Sequence, residues 1–261
     1  MIQKSPASIS VQVKLSFSGY QNAFGILFSK GFKRFLIFPF LALLILAFSG
    51  FSLTGKATEF VTQIIFDWFT GLSFNFWDLA WLKTISEWLL WVVFRIMFFL
   101  IFAYIGGFLV LIVLSPVLSF LSEKVEEKFT GNKQPFSIKK VINEMIRGIF
   151  VALRNIVWQL LITAIIFLLS FIPIVAPFSP ILLFLVSSYF YGFAFLDYFL
   201  ERSGMSISQS ITWINRRKAL AIALGLPFVL VISIPFLGSY LAAFFALIST
   251  IAASVAVFKE T

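Results

Sequence analysis

The segment 29–35, Ser-Lys-Gly-Phe-Lys-Arg-Phe, combines residue types that are able to bind an anion. Gly31 lets a ligand approach the backbone closely, and Lys33 and Arg34 supply positive charge and hydrogen-bond donors. The first turn of a helix beginning here would offer unpaired N–H groups to the same ligand. These features predict an oxyanion site at Gly31, Lys33 and Arg34. The alternative is that the two cations only anchor the following apolar segment at a membrane surface.

Arg95 is the single charge inside the apolar run of residues 88–121. A guanidinium inside a bilayer costs about 2.5–3.5 kcal/mol unless it reaches the interface or meets an anion or a carboxylate. Because Arg95 lies near the beginning of the run, its side chain is able to snorkel to the outer interface. A role in a pore is the alternative.

Carboxylates follow two of the apolar runs. Glu123 and Glu127 share a helix face beyond Pro116, which is itself a candidate for a transport pathway. Paired carboxylates permit acid/base chemistry, but no nucleophile stands beside them, and a solvated helix end is the commoner explanation. We expect Asp197 to pair with a nearby cation such as Arg202 rather than to titrate.

Prolines interrupt two long apolar runs, at Pro173 and Pro180 in residues 156–196 and at Pro235 in residues 219–258. Proline removes a backbone donor and clashes with the preceding turn, so each run is predicted to form a helical hairpin. Irregular backbone at membrane depth is tolerated only where it is buried in protein or lines a cavity, which makes the three prolines pathway candidates. Proline-kinked helices packed in a bundle are the alternative.

The composition indicates that a membrane-embedded scaffold must position these residues. Of 261 residues, 61% are apolar and 12% are charged, against about 45–50% and 25% in ordinary soluble domains. The polar surface is too small to cover a globule of this size, so lipid must cover it. The absence of Cys and His excludes disulfides, metal sites built from those ligands and histidine-dependent catalysis. We therefore expect neither an enzyme nor a metal or cofactor.

A bilayer-spanning helix needs about 20 apolar residues. The runs predict an all-α, polytopic membrane protein with two long spanning helices, two proline-broken hairpins that span or re-enter, and a cytoplasmic amphipathic helix at 137–155 with its basic side toward lipid headgroups. The predicted order within one domain is a cytoplasmic segment 1–34, a span 35–53, an outer loop 54–87, a span 88–121, a cytoplasmic amphipathic region 122–155, a hairpin 156–200, a cytoplasmic loop 201–218 and a hairpin 219–258.

The net charge of +9 is concentrated in short blocks between the apolar runs. Most Lys and Arg residues fall in the segments on one side of the predicted spans, so both termini are predicted to be cytoplasmic. No segment is long enough to form a separate nucleic-acid-binding domain, so nucleic acid is not an expected partner. The basic blocks are expected to contact anionic membrane lipid. No G-x-x-x-x-G-K-[ST] motif occurs, so gradients would supply any energy.

Several of these features occur in an order and spacing that resemble a known family. They are Gly19-Tyr20, the entry 31–34, Pro116, the stretch 123–131, the apex 171–173, Asp197-Tyr198, Arg217-Lys218 and Ile234-Pro235. The chain resembles the CysZ family of bacterial sulfate permeases, which shares a domain with the etoposide-induced membrane proteins of eukaryotes. The resemblance implies partly penetrating hairpins, a homo-oligomer that forms the sulfate path, and an oxyanion at Gly31, Lys33 and Arg34. The family typically has two arginines where this chain has Lys33 and Arg34, and lysine cannot make the planar bidentate contact.

The sequence therefore predicts an inner-membrane permease for sulfate or a similar small oxyanion, taken up for sulfur assimilation. A membrane scaffold or lipid-interaction protein without transport activity is the alternative, because the basic loops and the 137–155 helix suit anionic lipid. A membrane-embedded enzyme is the weaker alternative, since no carboxylate pair lies inside a span.

Overall fold

The computed structural model describes residues 6–45, 107–131, 138–234 and 237–260. It divides the chain into two compact units, Met1–Ala42 with Gly107–Thr261, and Leu43–Gly106. Apart from residues 43–45, everything reported below belongs to the first unit. Arg95, Pro235 and the predicted outer loop 54–87 lie outside the described residues.

Within the described ranges all regular structure is helical, which confirms the predicted all-α class. The helices are α1 (Ile9–Leu27), a 3₁₀ turn (Lys33–Leu36) that continues into α2 (37–45), α3 (Gly107–Thr130), α4 (Ile138–Leu169), a 3₁₀ turn (Ala176–Phe178), α5 (Ser179–Arg202), α6 (Ile207–Asn215), α7 (Lys218–Ile232) and α8 (Gly238–Glu260). In the part of the chain that the structure describes, four helical stretches are long and apolar enough to cross a membrane: Gly107–Thr130, Ile142–Leu169, Ala176–Arg202 and Tyr240–Glu260. The chain is a helical membrane protein.

The first proline-rich break joins α4 to α5. The helix α4 ends at Leu169, Pro173 lies in the following turns, and Pro180 occupies the first turn of α5, where its missing N–H costs no hydrogen bond. The second break falls between the end of α7 and the start of α8. The orientation of these helices in a bilayer stays a prediction.

The amphipathic segment 137–155 and the first hairpin arm form one element. The sequence analysis separated them at residue 156, but α4 runs without interruption for 32 residues. The prediction that its basic side faces lipid headgroups does not hold for Arg147, which points into the protein. On this helix the apolar side is outside, with Phe150 and Val157 more than half exposed, while Glu144 is buried. Lipid accounts for this reversal of the soluble pattern, because it can cover apolar side chains that water cannot.

Small residues let the helices around α5 approach closely. A Cβ atom added to Gly192 on α5 would lie 1.8 Å from the carbonyl oxygen of Ala221 on α7, and one added to Gly225 would lie 1.8 Å from that of Ser188. Such small residues are typical of helix contacts in membranes, where hydrophobicity does not drive helices together. They fix α5 at the centre, against α4, α7 and α8.

The helix α1 was not predicted from the sequence, where residues 1–34 were assigned only as a cytoplasmic segment. Gly19 lies against α8, where an added Cβ would be 2.4 Å from the carbonyl oxygen of Ala252. The Tyr20 hydroxyl donates to the Leu224 carbonyl oxygen at 2.5 Å and bonds Ser249 Oγ at 3.0 Å. Burial raises the pKa of Tyr20, so this hydroxyl stays protonated. These contacts place the end of α1 and the turn that follows it.

Candidate functional site

The predicted oxyanion site lies in the turn between α1 and α2. Gly31 there has a φ of 91°, a conformation that L-residues with side chains rarely adopt. Apart from its two chain neighbours, no atom of the described residues lies within 4 Å of the position that a Cβ would take. Gly31 is therefore both required by the turn and open to an approaching ligand. We call Gly31, Lys33 and Arg34 the cationic turn.

The two cations of the cationic turn point outward because two aromatic residues hold it from the other side. Residues three apart eclipse in a 3₁₀ helix, so Phe32 and Phe35 share one face, and both are buried. The Phe35 ring lies 5.8 Å from that of Phe120 on α3. Lys33 and Arg34 occupy the opposite face and are exposed.

The cationic turn also offers backbone donors. The described residues supply no acceptor for the N–H groups of Gly31, Lys33 and Arg34, whereas Phe32 N–H donates to Ser29 at 3.2 Å. A helix start with free N–H groups favours negative charge. Added to two cationic side chains, these groups can bind a small oxyanion.

A third cation reaches this place from α3. Lys128 Nζ lies 5.6 Å from the centre of the Phe32 ring, beside the cationic turn. Its neighbour Lys124 is paired with Glu127 at 2.5 Å. Within the described ranges, no carboxylate lies within 4.0 Å of the charged atoms of Lys33, Arg34 or Lys128. Sequence reasoning missed Lys128, because only the packing of α3 on the turn brings it there.

The prediction that Glu123 lies at a solvated helix end is wrong. Its carboxylate contacts Arg202 at 2.5 Å, and the Arg202 side chain is 2% exposed. Arg202 also contacts Glu144 at 3.0 Å, and Ser119 donates to Glu144 at 2.9 Å. The expectation failed because it considered only neighbours along α3.

Asp197 forms an ion pair, but not with the cation that the sequence analysis named. Arg147 on α4 donates to both Asp197 carboxylate oxygens, at 2.8 and 3.2 Å. The same guanidinium lies 3.6 Å from Glu201, and it donates to Ser210 at 2.8 Å and to the Met205 carbonyl oxygen. Arg202, the expected partner, instead pairs with Glu123.

We call Glu123, Glu144, Arg147, Asp197, Glu201 and Arg202 the ion-pair cluster. It joins α3, α4 and α5, and Ser210 links it to α6. Its side chains bond one another, which indicates that Glu123 and Asp197 hold helices together rather than act as free carboxylates.

The remaining pathway candidates are not brought to the cationic turn by any contact in the described residues. Pro116 lies half-buried inside α3, and Pro173 and Pro180 are exposed at the first apex. The apolar side chains around this apex are exposed as well, with Ile174 at 80%. The apex therefore presents an apolar surface.

These observations define a polytopic helical membrane protein with an exposed cationic turn. The family model of Sulfate transporter CysZ/Etoposide-induced protein 2.4 matches residues 20–255. The chain belongs to this family, which confirms the resemblance found in the sequence. A curated relative, Sulfate transporter CysZ of Pectobacterium atrosepticum, is 26% identical over 213 residues, covering 79% of this chain and 72% of the relative. The family is one of transporters and not of enzymes.

Proposed function

We propose that this protein is a permease that takes up sulfate, or a related small oxyanion, across the bacterial inner membrane for sulfur assimilation. The family membership and the curated relative named as a sulfate transporter support the substrate class. The observation that carries the proposal is the cationic turn, which is exposed and has no carboxylate partner among the described residues.

The chemistry of the cationic turn suits a tetrahedral dianion. Arg34 is able to contact two oxygens at once, whereas Lys33 acts as a point charge. The open face of Gly31 gives an anion access to the backbone N–H groups, and Lys128 adds charge from the side of α3. Hydrogen bonds to charged groups contribute about 1.5–3 kcal/mol each, so the cations and amides together would favour an oxyanion over a halide that accepts without defined geometry.

The rest of the molecule has a supporting role in this proposal. The hairpin apices, with Pro173 and Pro180, and Pro116 on α3 would bound the path, and both termini would be cytoplasmic. The apolar outer side of α4 and the exposed apex would contact lipid and further copies of the chain, which would enclose the path in a homo-oligomer.

The proposal is tested by uptake of labelled sulfate into liposomes that contain the purified protein. We expect the double variant Lys33→Ala with Arg34→Ala to lower the initial rate by at least about tenfold, because two charge-assisted contacts are lost. Lys14→Ala is the matched control, since Lys14 is an exposed cation on α1 and should leave the rate unchanged.

Equal flux with wild type, the double variant and protein-free liposomes would contradict transport. If the protein then bound vesicles in proportion to their anionic lipid, the scaffold alternative would replace the permease.

A further inference from the structure

Arg154 lies halfway along α4, inside the apolar stretch Ile142–Leu169. Twelve residues separate it from the start of that stretch and fifteen from its end, or about 18 and 22 Å of helix. Leu153 and Val157 beside it are half exposed or more, so the guanidinium is surrounded by lipid-compatible surface. A cation in this position is costly unless something compensates its charge.

Among the described residues, the guanidinium groups of Arg147 and Arg202 pair with carboxylates, whereas that of Arg154 contacts none. Arg147 pairs with Asp197 at 2.8 Å, and Arg202 pairs with Glu123 at 2.5 Å. In the described parts of the chain, no Asp or Glu oxygen lies within 4.0 Å of the Arg154 guanidinium. The one hydrogen bond that this guanidinium makes to a described residue goes from Nη1 to Asn155 Oδ1, at 3.0 Å.

The groups that hold Arg154 are themselves fixed. Asn155 is fully buried, and its Nδ2 donates to the Phe190 carbonyl oxygen at 3.3 Å, which keeps Oδ1 turned toward Arg154. The guanidinium carbon lies 4.9 Å from the centre of the fully buried Phe193 ring. Tyr189 packs edge-on against Phe193 and lies on the same side of α5.

This arrangement leaves most of the guanidinium free. Arginine carries five N–H donors in a planar fork, and only one of them is used here. The fork matches two oxygens of a sulfate or phosphate group, and the fixed aromatic and amide contacts reduce the entropy lost on binding. Arg154 is only partly buried, so such a group can reach it.

We propose that Arg154 is a second oxyanion-binding position, at membrane depth, which sulfate occupies in transit; this rests on the proposed permease function. The cationic turn would recruit the anion, and Arg154 would receive it between the apolar helices. A phospholipid phosphate offers the same chemistry, so the tests below compare sulfate with an anionic lipid.

The binding test uses calorimetric sulfate titration of the full chain in lipid-free detergent, in the Lys33→Ala, Arg34→Ala background. Residual sulfate binding is expected, and adding Arg154→Gln should weaken it by about tenfold or more. Arg154→Lys keeps the charge without the fork and should weaken it less. Lys14→Gln, which removes an exposed cation on α1, should leave the residual binding unchanged.

The transport test compares initial sulfate uptake by wild type, Arg154→Gln, Arg154→Lys and Lys14→Gln in liposomes. We expect Arg154→Gln to lower the rate by about tenfold and Lys14→Gln to leave it unchanged. If Arg154→Gln does not give a monodisperse protein, Arg154→Lys carries the test, with a smaller loss of rate expected.

This inference would be overturned if wild type took up sulfate and the Arg154 variants bound and transported it as well as wild type does. The proposed permease function would then still stand. Absence of wild-type flux would overturn the permease, and the sulfate titration alone would then decide whether Arg154 binds the anion. If phosphatidylglycerol, but not sulfate, stabilised the protein in an Arg154-dependent manner, the position would belong to a lipid headgroup and the transit role would be wrong.

Discussion

At the scale of single residues, Gly31 combines a backbone requirement with an open ligand face. Its φ of 91° is one that an alanine adopts only with strain, yet the space beside it is empty. A substitution there therefore tests backbone strain without a steric clash, because the described residues place nothing within 4 Å of an added methyl group except the chain neighbours.

Gly31→Ala should lower the free energy of unfolding by about 1–2 kcal/mol, through strain of the backbone alone. It should also weaken sulfate binding, because the turn relaxes away from the conformation that exposes its N–H groups. Gly25→Ala is the control: Gly25 lies in α1 with nothing within 4 Å of its added Cβ, and the change should stabilise by about 0.5–1 kcal/mol. Thermal unfolding with and without sulfate measures both effects. If Gly31→Ala and Gly25→Ala changed stability and sulfate binding alike, the positive φ of Gly31 would have no role in either.

Lys33→Arg should tighten sulfate binding, since a guanidinium contacts two oxygens where an ammonium acts as one point charge. We expect a dissociation constant lower by about threefold to tenfold in sulfate titration against chloride, phosphate and selenate. Arg34→Lys should change affinity in the opposite direction. Identical affinities in all three proteins would mean that the cations act only as a membrane anchor.

At the scale of elements, the ion-pair cluster is the main polar connection between α3, α4 and α5. Arg202 contacts Glu123 from α3 and Glu144 from α4, while Arg147 holds Asp197 and Glu201 on α5. Removing one partner from such a buried set leaves the others uncompensated. The cluster should thus limit how far these helices move apart.

Arg202→Met should lower the stability by about 3–5 kcal/mol, because it leaves Glu123 and Glu144 without their cation. Lys124→Met is the control, as it breaks the more exposed Lys124–Glu127 pair, and should cost no more than about 1 kcal/mol. Unfolding midpoints in detergent compare the two. A similar small loss in both would show that the cluster is as weakly coupled as a surface pair.

At the scale of the whole molecule, the apolar exterior requires lipid. The outer side of α4 and the first apex expose large side chains, and Glu144, Asn155 and Gln159 of α4 are buried. The basic composition then sets the orientation through the positive-inside rule, which is independent of the packing inside the protein.

The predicted orientation can be checked with single cysteines, because the chain has none of its own. In intact cells, Ser8→Cys and Lys259→Cys should be protected from a membrane-impermeant maleimide, and both should react after permeabilisation. Ser73→Cys, in the predicted outer loop, should react from outside in intact cells. Labelling of either terminal position from outside would reverse the predicted topology.

The sequence by itself determined the helical membrane class, the family, the helix break at Pro173 and the composition of the cationic turn. Each of these depends on local properties: run length, proline chemistry, charge blocks and a glycine beside two cations. The sequence pattern did not predict α1, and it placed a boundary inside α4 at residue 156. The reason is that interfacial and spanning apolar stripes have the same period.

Only the tertiary structure decided which charges meet. Lys128 reaches the cationic turn because Phe35 packs on Phe120, and Asp197 meets Arg147 because α4 lies along α5. These partners are far apart in sequence, and their pairing follows from how closely the helices approach one another. The local sequence pattern does not encode how closely the helices approach. It therefore shows that a buried cation must be compensated, but it does not show which group compensates it.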